Sequence, residues 1–109
     1  MCGIDGVIVG RRVMPREAVA GRLDLAEAAQ AHRGPDGAGR LVEGVGDWWV
    51  GLGHQRLAII DLSDRAAQPM TGPDGLDVIV YNGEVYDYAA LPRRLVAEGV
   101  TVASDSDTE

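Results

Sequence analysis

The chemically most distinctive residue of this 109-residue chain is Cys2, its only cysteine, which directly follows Met1. Cleavage of Met1, which a small second residue favours, would leave a thiol and a free α-amino group on the same residue. Both groups titrate near neutral pH in peptides, so the amine could take the proton of the thiol. Position alone favours a chance cysteine near the start of the chain, and the choice between the two interpretations depends on the other residues.

Three other places could do related chemistry, and each also has a purely structural interpretation. Arg56 begins an apolar run, where it could cap a strand or hold a carboxylate through its planar guanidinium group. Asn82-Gly83 is the pattern of a type I′ hairpin turn, and it could also supply an amide and a main-chain N–H to a developing oxyanion. Asp107 could cap a helix or receive an ammonium group. Taken one at a time, each residue favours the structural interpretation.

The composition excludes several classes of function. The chain has 17 acidic and 10 basic residues and a formal charge of -7, which argues against binding to nucleic acid. Every basic residue is arginine, so this segment holds no Schiff-base, Walker-A or Ser–Lys lysine. His32 and His54, without a second thiol, give no zinc-site spacing and are predicted to be structural or exposed rather than general bases. We expect no metal site.

Cysteine content and hydropathy predict the location of the protein. A single cysteine cannot form an internal disulfide, which suits a reducing compartment. The apolar start carries Asp5 and is followed by Arg11 and Arg12, the reverse of the charge order of a signal peptide. No uncharged apolar stretch is long enough to cross a bilayer. We therefore expect a cytoplasmic protein that does not contact a membrane.

The hydrophobic pattern predicts a single unit that mixes strands and helices. Pro15 suits the start of a helix, and Gly99 suits the left-handed residue that ends one, with Pro92 in the first turn of the second helix. Asp61 to Gly75 is predicted to be a loop. The predicted elements are a strand at Ile4–Val9, a helix at 16–31, a hairpin joining 41–42 to 48–50, strands at 57–60 and 78–81, a helix at 91–98, and a strand from Thr101 that runs into an acidic turn.

Six sequence blocks, in order from one end of the chain to the other, closely resemble the class II glutamine amidotransferase domain, and the nearest branch is that of asparagine synthetase. They are Met1-Cys2-Gly3-Ile4, His32-Arg33-Gly34-Pro35-Asp36-Gly37, the segment from Gly53 to Ser63, Ala67-Gln68-Pro69-Met70, Tyr81-Asn82-Gly83-Glu84-Val85-Tyr86 and Ser106-Asp107-Thr108-Glu109. The resemblance implies an α+β fold of the N-terminal nucleophile hydrolase type, a four-layer αββα sandwich that is incomplete in this chain. It also implies hydrolysis of glutamine to glutamate and ammonia.

The resemblance assigns roles position by position. It implies that Cys2 attacks the side-chain amide of glutamine and forms a thioester, and that Asn82 and the N–H of Gly83 form the oxyanion hole. Arg56 resembles the clamp on the glutamine carboxylate. The remaining implied substrate contacts are Leu57, Ile59 and Ile60 along the pocket wall, with Glu84 and Asp107 at the ammonium end.

The resemblance also implies what residues 1–109 do not contain. They correspond to the N-terminal part of the amidotransferase domain, and the synthetase domain with its ATP-pyrophosphatase loop is absent from them. We therefore expect no cofactor in this segment, with ATP and Mg²⁺ needed only by that missing domain. The expected partners are glutamine, an ammonia-accepting synthetase domain or subunit, and possible further copies in a homo-oligomer. The alternatives are a truncated, non-catalytic remnant and a glutamine-binding module that depends on a partner.

Overall fold

Regular structure is concentrated in the first half of the computed structural model, which describes residues 1–59, 63–87, 89–104 and 106–109. The first half contains β1 (Gly3–Gly10), α1 (Arg16–Gln30), β2 (Gly37–Val45) and β3 (Trp48–Arg56). The second half contains β4 (Met70–Thr71), β5 (Val78–Ile79) and α2 (Leu91–Ala97), and there are short 3₁₀ turns at Ala31–Arg33 and Asp64–Ala66. The chain is therefore α+β, as predicted.

The three long strands form one antiparallel sheet with β3 in the centre, in the order β1-β3-β2. Gly3 pairs with Gln55 and Gly37 with Arg56, so the start of β1 and the start of β2 lie beside the end of β3. The predicted hairpin between β2 and β3 is confirmed. Its two-residue connection uses Gly46 at φ +55, a left-handed conformation that glycine adopts without steric cost.

Helix α1 packs on one face of this sheet and forms the core. It begins after Pro15, whose extended backbone precedes the first helical turn, close to the predicted position. Val19 and Leu23, four residues apart and both fully buried, meet Val42 of β2. Gly51 of β3 lies beneath them, where a Cβ atom would stand 3.0 Å from Leu23 Cδ1. The absence of a side chain at Gly51 thus lets the helix approach the sheet closely.

The opposite face of the sheet is only partly covered. Side chains alternate between faces along a strand, so Ile4 and Ile8 of β1 point away from α1. They are 44% and 72% exposed, whereas His54, which pairs with Ile4 on the same face, is buried. The described residues thus form one helix layer on one sheet layer, and the complete four-layer sandwich stays a prediction.

The predicted strand at 57–60 is wrong for the residues that are described, and Ile60 lies outside them. Strand β3 ends at Arg56. The next two N–H groups do not continue the sheet, because that of Leu57 donates to Cys2 Sγ at 3.4 Å and that of Ala58 donates to Asp36 Oδ2 at 2.9 Å. Side-chain acceptors therefore replace strand pairing at this edge.

Several predictions for the second half also need correction. Strand β5 stops at Ile79 rather than Tyr81, and β4 interrupts the predicted loop. Residues 101–104 form no strand, because the Glu109 carboxylate accepts the N–H groups of Ala103 and Ser104 at 2.6 and 2.7 Å. Helix α2 ends near the predicted position, and Gly99 has φ +87 beyond it. Pro92 lies in the first helical turn, as predicted.

The type I′ hairpin that the bare Asn82-Gly83 pattern favours does not form. Such a turn needs positive φ at both central residues, and neither Asn82 nor Gly83 has it. None of the described residues after Gly83 forms a strand that could pair with β5. The dipeptide is instead part of an irregular corner, and the structural interpretation of this motif is wrong.

Neither helix in the described part of the chain combines the length and the apolarity that crossing a membrane requires.

Candidate active site

One cavity of about 500 Å³ lies beside the N-terminal end of β1 and the C-terminal end of β3. Segments that are far apart in sequence meet there, and every described residue of the predicted site lines it. These residues are Cys2, Arg56, Leu57, Ile59, Asn82, Gly83, Glu84 and Asp107. The structure thus brings together the whole predicted set except Ile60, which lies outside the described residues. Ile59 contributes little, because it is 72% exposed.

Cys2 is half-buried at the edge of the cavity, and the end of β3 holds its side chain. Sγ accepts the N–H of Leu57 at 3.4 Å and lies 3.7 Å from the carbonyl oxygen of the same residue. Arg33 Nε donates to the carbonyl of Cys2 at 3.1 Å. The contacts of the sulfur with described residues are therefore to the main chain of Leu57.

The His32–Gly37 motif packs against the end of β3 that holds Cys2. Gly34 lies so close to β3 that a Cβ atom there would stand 2.5 Å from the nitrogen of Arg56. Asp36 donates its N–H to the Arg56 carbonyl at 3.0 Å, and its carboxylate accepts the N–H of Ala58. The motif therefore fixes the backbone that carries Arg56 and Leu57, a role that its sequence did not reveal.

The corner that carries Asn82 and Gly83 is held at both ends by side chains from other segments. The N–H of Tyr81 donates to Gln68 Oε1 at 2.5 Å, and the N–H of Val85 donates to Asp107 Oδ2 at 3.0 Å. The phenol of Tyr81 covers Gly83, where a Cβ atom would stand 2.5 Å from the phenolic oxygen. A side chain at position 83 would therefore require the Tyr81 ring to move, whereas the backbone angles of Gly83 make no demand for glycine.

His54 is the main residue of the cavity wall that sequence reasoning missed. Its burial, at 1% exposed, is compatible with the prediction of a structural or exposed residue, but its place in the cavity wall was not predicted. Burial lowers its pKa; the main chain of Tyr81 counteracts part of this shift, and the charge of Arg56 adds to it. Neither ring nitrogen makes a hydrogen bond of normal geometry with a described residue. Its spacing of two from Arg56 on one strand was the signal, since such residues share a face.

The charges in the cavity are arranged for a ligand that carries both signs. Arg56 enters from the end of β3, whereas Glu84 and Asp107 enter from the two later segments. No group of three or more His, Cys, Asp and Glu side chains within the described ranges is placed to hold a metal ion. The cavity therefore combines a thiol, main-chain donors, an arginine and two carboxylates.

Comparison with known families identifies the class to which this arrangement belongs. A family model described as glutamine amidotransferase domain matches residues 1–109. The chain belongs to the glutamine amidotransferase domain family. No solved structure matches it.

Individual relatives are mostly synthetases that use glutamine. The chain is 38% identical to a protein of Methanocaldococcus jannaschii provisionally named glutamine-hydrolysing asparagine synthetase 2, with 100% of this chain and 22% of the relative covered. It is 38% identical to glutamine-hydrolysing asparagine synthetase 1 of Bacillus subtilis, with 100% and 16% covered. It is 33% identical to the glutamine–fructose-6-phosphate aminotransferase of Symbiobacterium thermophilum, with 100% and 21% covered. The chain thus spans about a fifth of the length of these curated relatives.

Proposed function

We propose that this chain carries the glutamine-hydrolysing site of an amidotransferase, with Cys2 as the nucleophile. The observation that carries the proposal is the shared cavity, in which the sulfur of Cys2 lies with Asn82, Gly83, Arg56 and Asp107. The match of residues 1–109 to the glutamine amidotransferase domain supports the same conclusion.

The proposed reaction proceeds in two steps after cleavage of Met1. The freed α-amino group of Cys2 takes the thiol proton, and Sγ attacks the side-chain carbonyl carbon of glutamine. The carbon–nitrogen bond breaks, the amine returns its proton to the leaving group, and ammonia departs from a γ-glutamyl thioester. Water then attacks the thioester, releasing glutamate and restoring the thiol.

Stabilisation of the tetrahedral intermediate falls to Asn82 and Gly83. The side-chain amide of Asn82 and the N–H of Gly83 are the two donors proposed for the oxyanion. Tyr81 and Val85, on either side of them, are fixed by the hydrogen bonds to Gln68 and Asp107. Donors that are already oriented need little reorganisation as charge develops, which is how such sites lower the barrier.

We propose that charged side chains of the site bind the charged end of glutamine. The Arg56 guanidinium is suited to the α-carboxylate through two parallel hydrogen bonds, and Glu84 and Asp107 are suited to the α-ammonium group. Leu57 and Ile59 would contribute to the wall between the charged end and the thiol, and Ile60 stays part of the predicted set. Holding both ends of the substrate makes the attack effectively intramolecular.

The setting of this site is proposed from the names of the relatives. Asparagine synthetases are named as glutamine-hydrolysing, so the ammonia would pass to an acceptor bound by a synthetase domain or subunit. ATP and Mg²⁺ would be needed there and not at this site. In the full domain we expect the exposed face of the sheet to be covered as part of the four-layer αββα sandwich.

The test is ammonia release by the full-length protein, combined with intact mass and labelling by a diazoketone analogue of glutamine. We expect loss of Met1, one label on Cys2, and protection by glutamine. Cys2→Ala should abolish ammonia release while glutamine binding, measured by calorimetry, persists. Asn82→Ala should lower kcat by about 10²–10³-fold, because one oxyanion donor is lost. A folded wild-type protein that keeps Met1, or that binds glutamine without releasing ammonia, would refute the enzyme and favour a binding module.

A further inference from the structure

Gln68 is a buried polar residue in the wall of the cavity, and both the oxygen and the nitrogen of its side-chain amide make hydrogen bonds. It is 8% exposed. Its Oε1 accepts the N–H of Tyr81 at 2.5 Å, and its Nε2 donates to Thr108 Oγ1 at 2.9 Å. One side chain thus connects segments that are 13 and 40 residues away in sequence. A buried amide with both groups paired is a favourable arrangement, and a methyl-terminated side chain could not reproduce it.

The main chain of Gln68 is itself seated on the sheet. Its carbonyl oxygen occupies the space above Gly39 of β2 that a Cβ atom would fill. Gly39 pairs with His54, so Gln68 rests on the part of the sheet that forms the cavity wall. The amide group therefore projects from a support that the long strands fix.

The two partners of Gln68 flank the two ends of the proposed substrate site. Tyr81 directly precedes Asn82 and Gly83, and Thr108 directly follows Asp107. Asp107 in turn accepts the N–H of Val85, on the other side of the corner. The hydrogen bonds therefore close a ring through Gln68, Tyr81, Val85, Asp107 and Thr108, which joins the corner to the acidic turn.

We propose that Gln68 is a positioning residue that fixes the spacing between the oxyanion donors and the carboxylate of Asp107. This inference rests on the proposed function. With the spacing fixed, a glutamine whose ammonium group meets Asp107 has its side-chain amide at Asn82 and Gly83. A displacement of about 1 Å at such a site can cost on the order of 10²-fold in rate. In this role Gln68 acts through Tyr81 and Thr108.

The experiment separates positioning from simple support of the fold. In the full-length protein, Gln68→Met removes both hydrogen bonds at similar volume, and Thr108→Val removes only the bond to the acidic turn. Titration with the diazoketone analogue counts active sites, so that kcat refers to folded enzyme. Gln55→Met is the matched control, because Gln55 is a glutamine of similar burial, 6% exposed, on the face of the sheet that α1 covers.

We expect Gln68→Met to lower kcat per active site at least ~10-fold and to raise the KM for glutamine. Thr108→Val should raise KM with kcat within ~3-fold, because only the ammonium end is loosened. The double variant should have the KM of Gln68→Met alone, because the bond is already absent. Gln55→Met should leave both constants within ~2-fold of the wild type.

Four results would overturn the inference. If Gln68→Met has the wild-type kcat per active site and the wild-type KM, Gln68 only supports the fold. If Gln68→Met does not fold, an unchanged KM in Thr108→Val overturns the inference on its own. If both variants fold, full additivity of their effects on KM also overturns it. A wild-type protein that releases no ammonia would refute the proposed function and this role together, whereas an active wild type with an unaffected variant refutes only the role of Gln68.

Discussion

The two halves of the chain are held together by different interactions. Residues 3–56 form long strands in continuous register beneath a helix whose buried side chains, Val19 and Leu23, make the core. In the described part of residues 63–109 the strands are two residues long, and side chains bind the main chain instead. Gln68 and Asp107 accept the N–H groups of Tyr81 and Val85, which lie in distant segments. Glu109 accepts the N–H groups of Ala103 and Ser104 a few residues before it.

This difference matches the roles proposed for the two halves. The first half supplies a platform, with Cys2 and Arg56 at its edge. The second half forms the other side of the cavity through individual hydrogen bonds, each worth about 0.5–1.5 kcal/mol net. The platform, residues 3–56, is stabilised by burial and tolerates little change in side-chain volume. The rim, the part of residues 63–109 that lines the cavity, is held by single hydrogen bonds, so one contact can change without the others.

The largest effect on stability is expected from a substitution in the core of the platform. Leu23→Ala removes a fully buried side chain that packs over Gly51, and it should lower the free energy of unfolding by about 2–5 kcal/mol because of lost burial and the cavity left behind. Urea-induced unfolding measures this loss. Ammonia release per titrated active site should stay close to wild type, because the described hydrophobic residues of the core around Leu23 are not among those that line the cavity.

Leu25→Ala is the matched control on the same helix. Leu25 is 74% exposed, so its truncation should change the free energy of unfolding by at most about 0.5 kcal/mol. Equal losses for the two variants would mean that α1 does not pack on the sheet as described.

A smaller effect is expected where platform and rim meet, at His54. Burial lowers its pKa below the ordinary value near 6.5, so between that value and the folded pKa only the unfolded chain is protonated. Stability rises with pH wherever the unfolded state binds more protons, so the contribution of His54 is lost as the pH falls from about 6.5 through the folded pKa. The slope from one proton is at most about 1.4 kcal/mol per pH unit.

His54→Gln should remove this part of the pH dependence, as measured by urea unfolding at a series of pH values from 7 to 5. The exposed His32 provides the control variant His32→Gln, which should keep the wild-type slope. A wild-type slope in His54→Gln would show that the imidazole is not buried in its neutral form.

How far the sequence predicts this molecule differs between the two halves for a physical reason. Strand β1, helix α1 and the β2–β3 hairpin follow from apolar periodicity and from Pro15 and the Gly46 region, because burial dominates there. The strand expected at 57–60 was wrong because two side-chain acceptors, Cys2 Sγ and Asp36 Oδ2, take its N–H groups. Periodicity contains no information about such long-range acceptors.

The residues of the cavity were predicted through the resemblance, and their supports were not. Cys2, Arg56 and Asp107 lie in motifs that can be read in order along the chain. Gln68 and Thr108 lie in motifs too, but their link spans 40 residues and depends on the close approach of Gln68 to Gly39. Only the folded arrangement shows which side chains of the cavity wall are hydrogen-bonded to one another.

The smallest effect on stability is expected from two carboxyl groups that are buried in the platform. Asp5 of β1 lies between the sheet and α1, and burial raises its pKa. Burial also raises the pKa of Glu27, and the charge of Asp5 adds to this. Asp5 Oδ2 and Glu27 Oε1 are buried and have no hydrogen-bond partner among the described residues. The two carboxylates therefore destabilise the folded chain when both are ionised.

Asp5→Asn should raise the free energy of unfolding near pH 7 by up to about 1 kcal/mol, because it removes one charge and offers Glu27 an N–H donor. A group whose folded pKa is raised penalises folding as the pH rises above its unfolded value, 3.8 for Asp5, and fully above its folded pKa. The gain should therefore disappear as the pH falls toward 4, in unfolding curves compared at pH 7 and pH 4. Glu43→Gln, which removes an exposed charge from β2, should show no such pH-dependent gain. If Asp5→Asn instead destabilises the protein at pH 7, the ionised carboxylate contributes to the platform through its contact with Gln30, and the contrast between an apolar platform and a polar rim fails at this position.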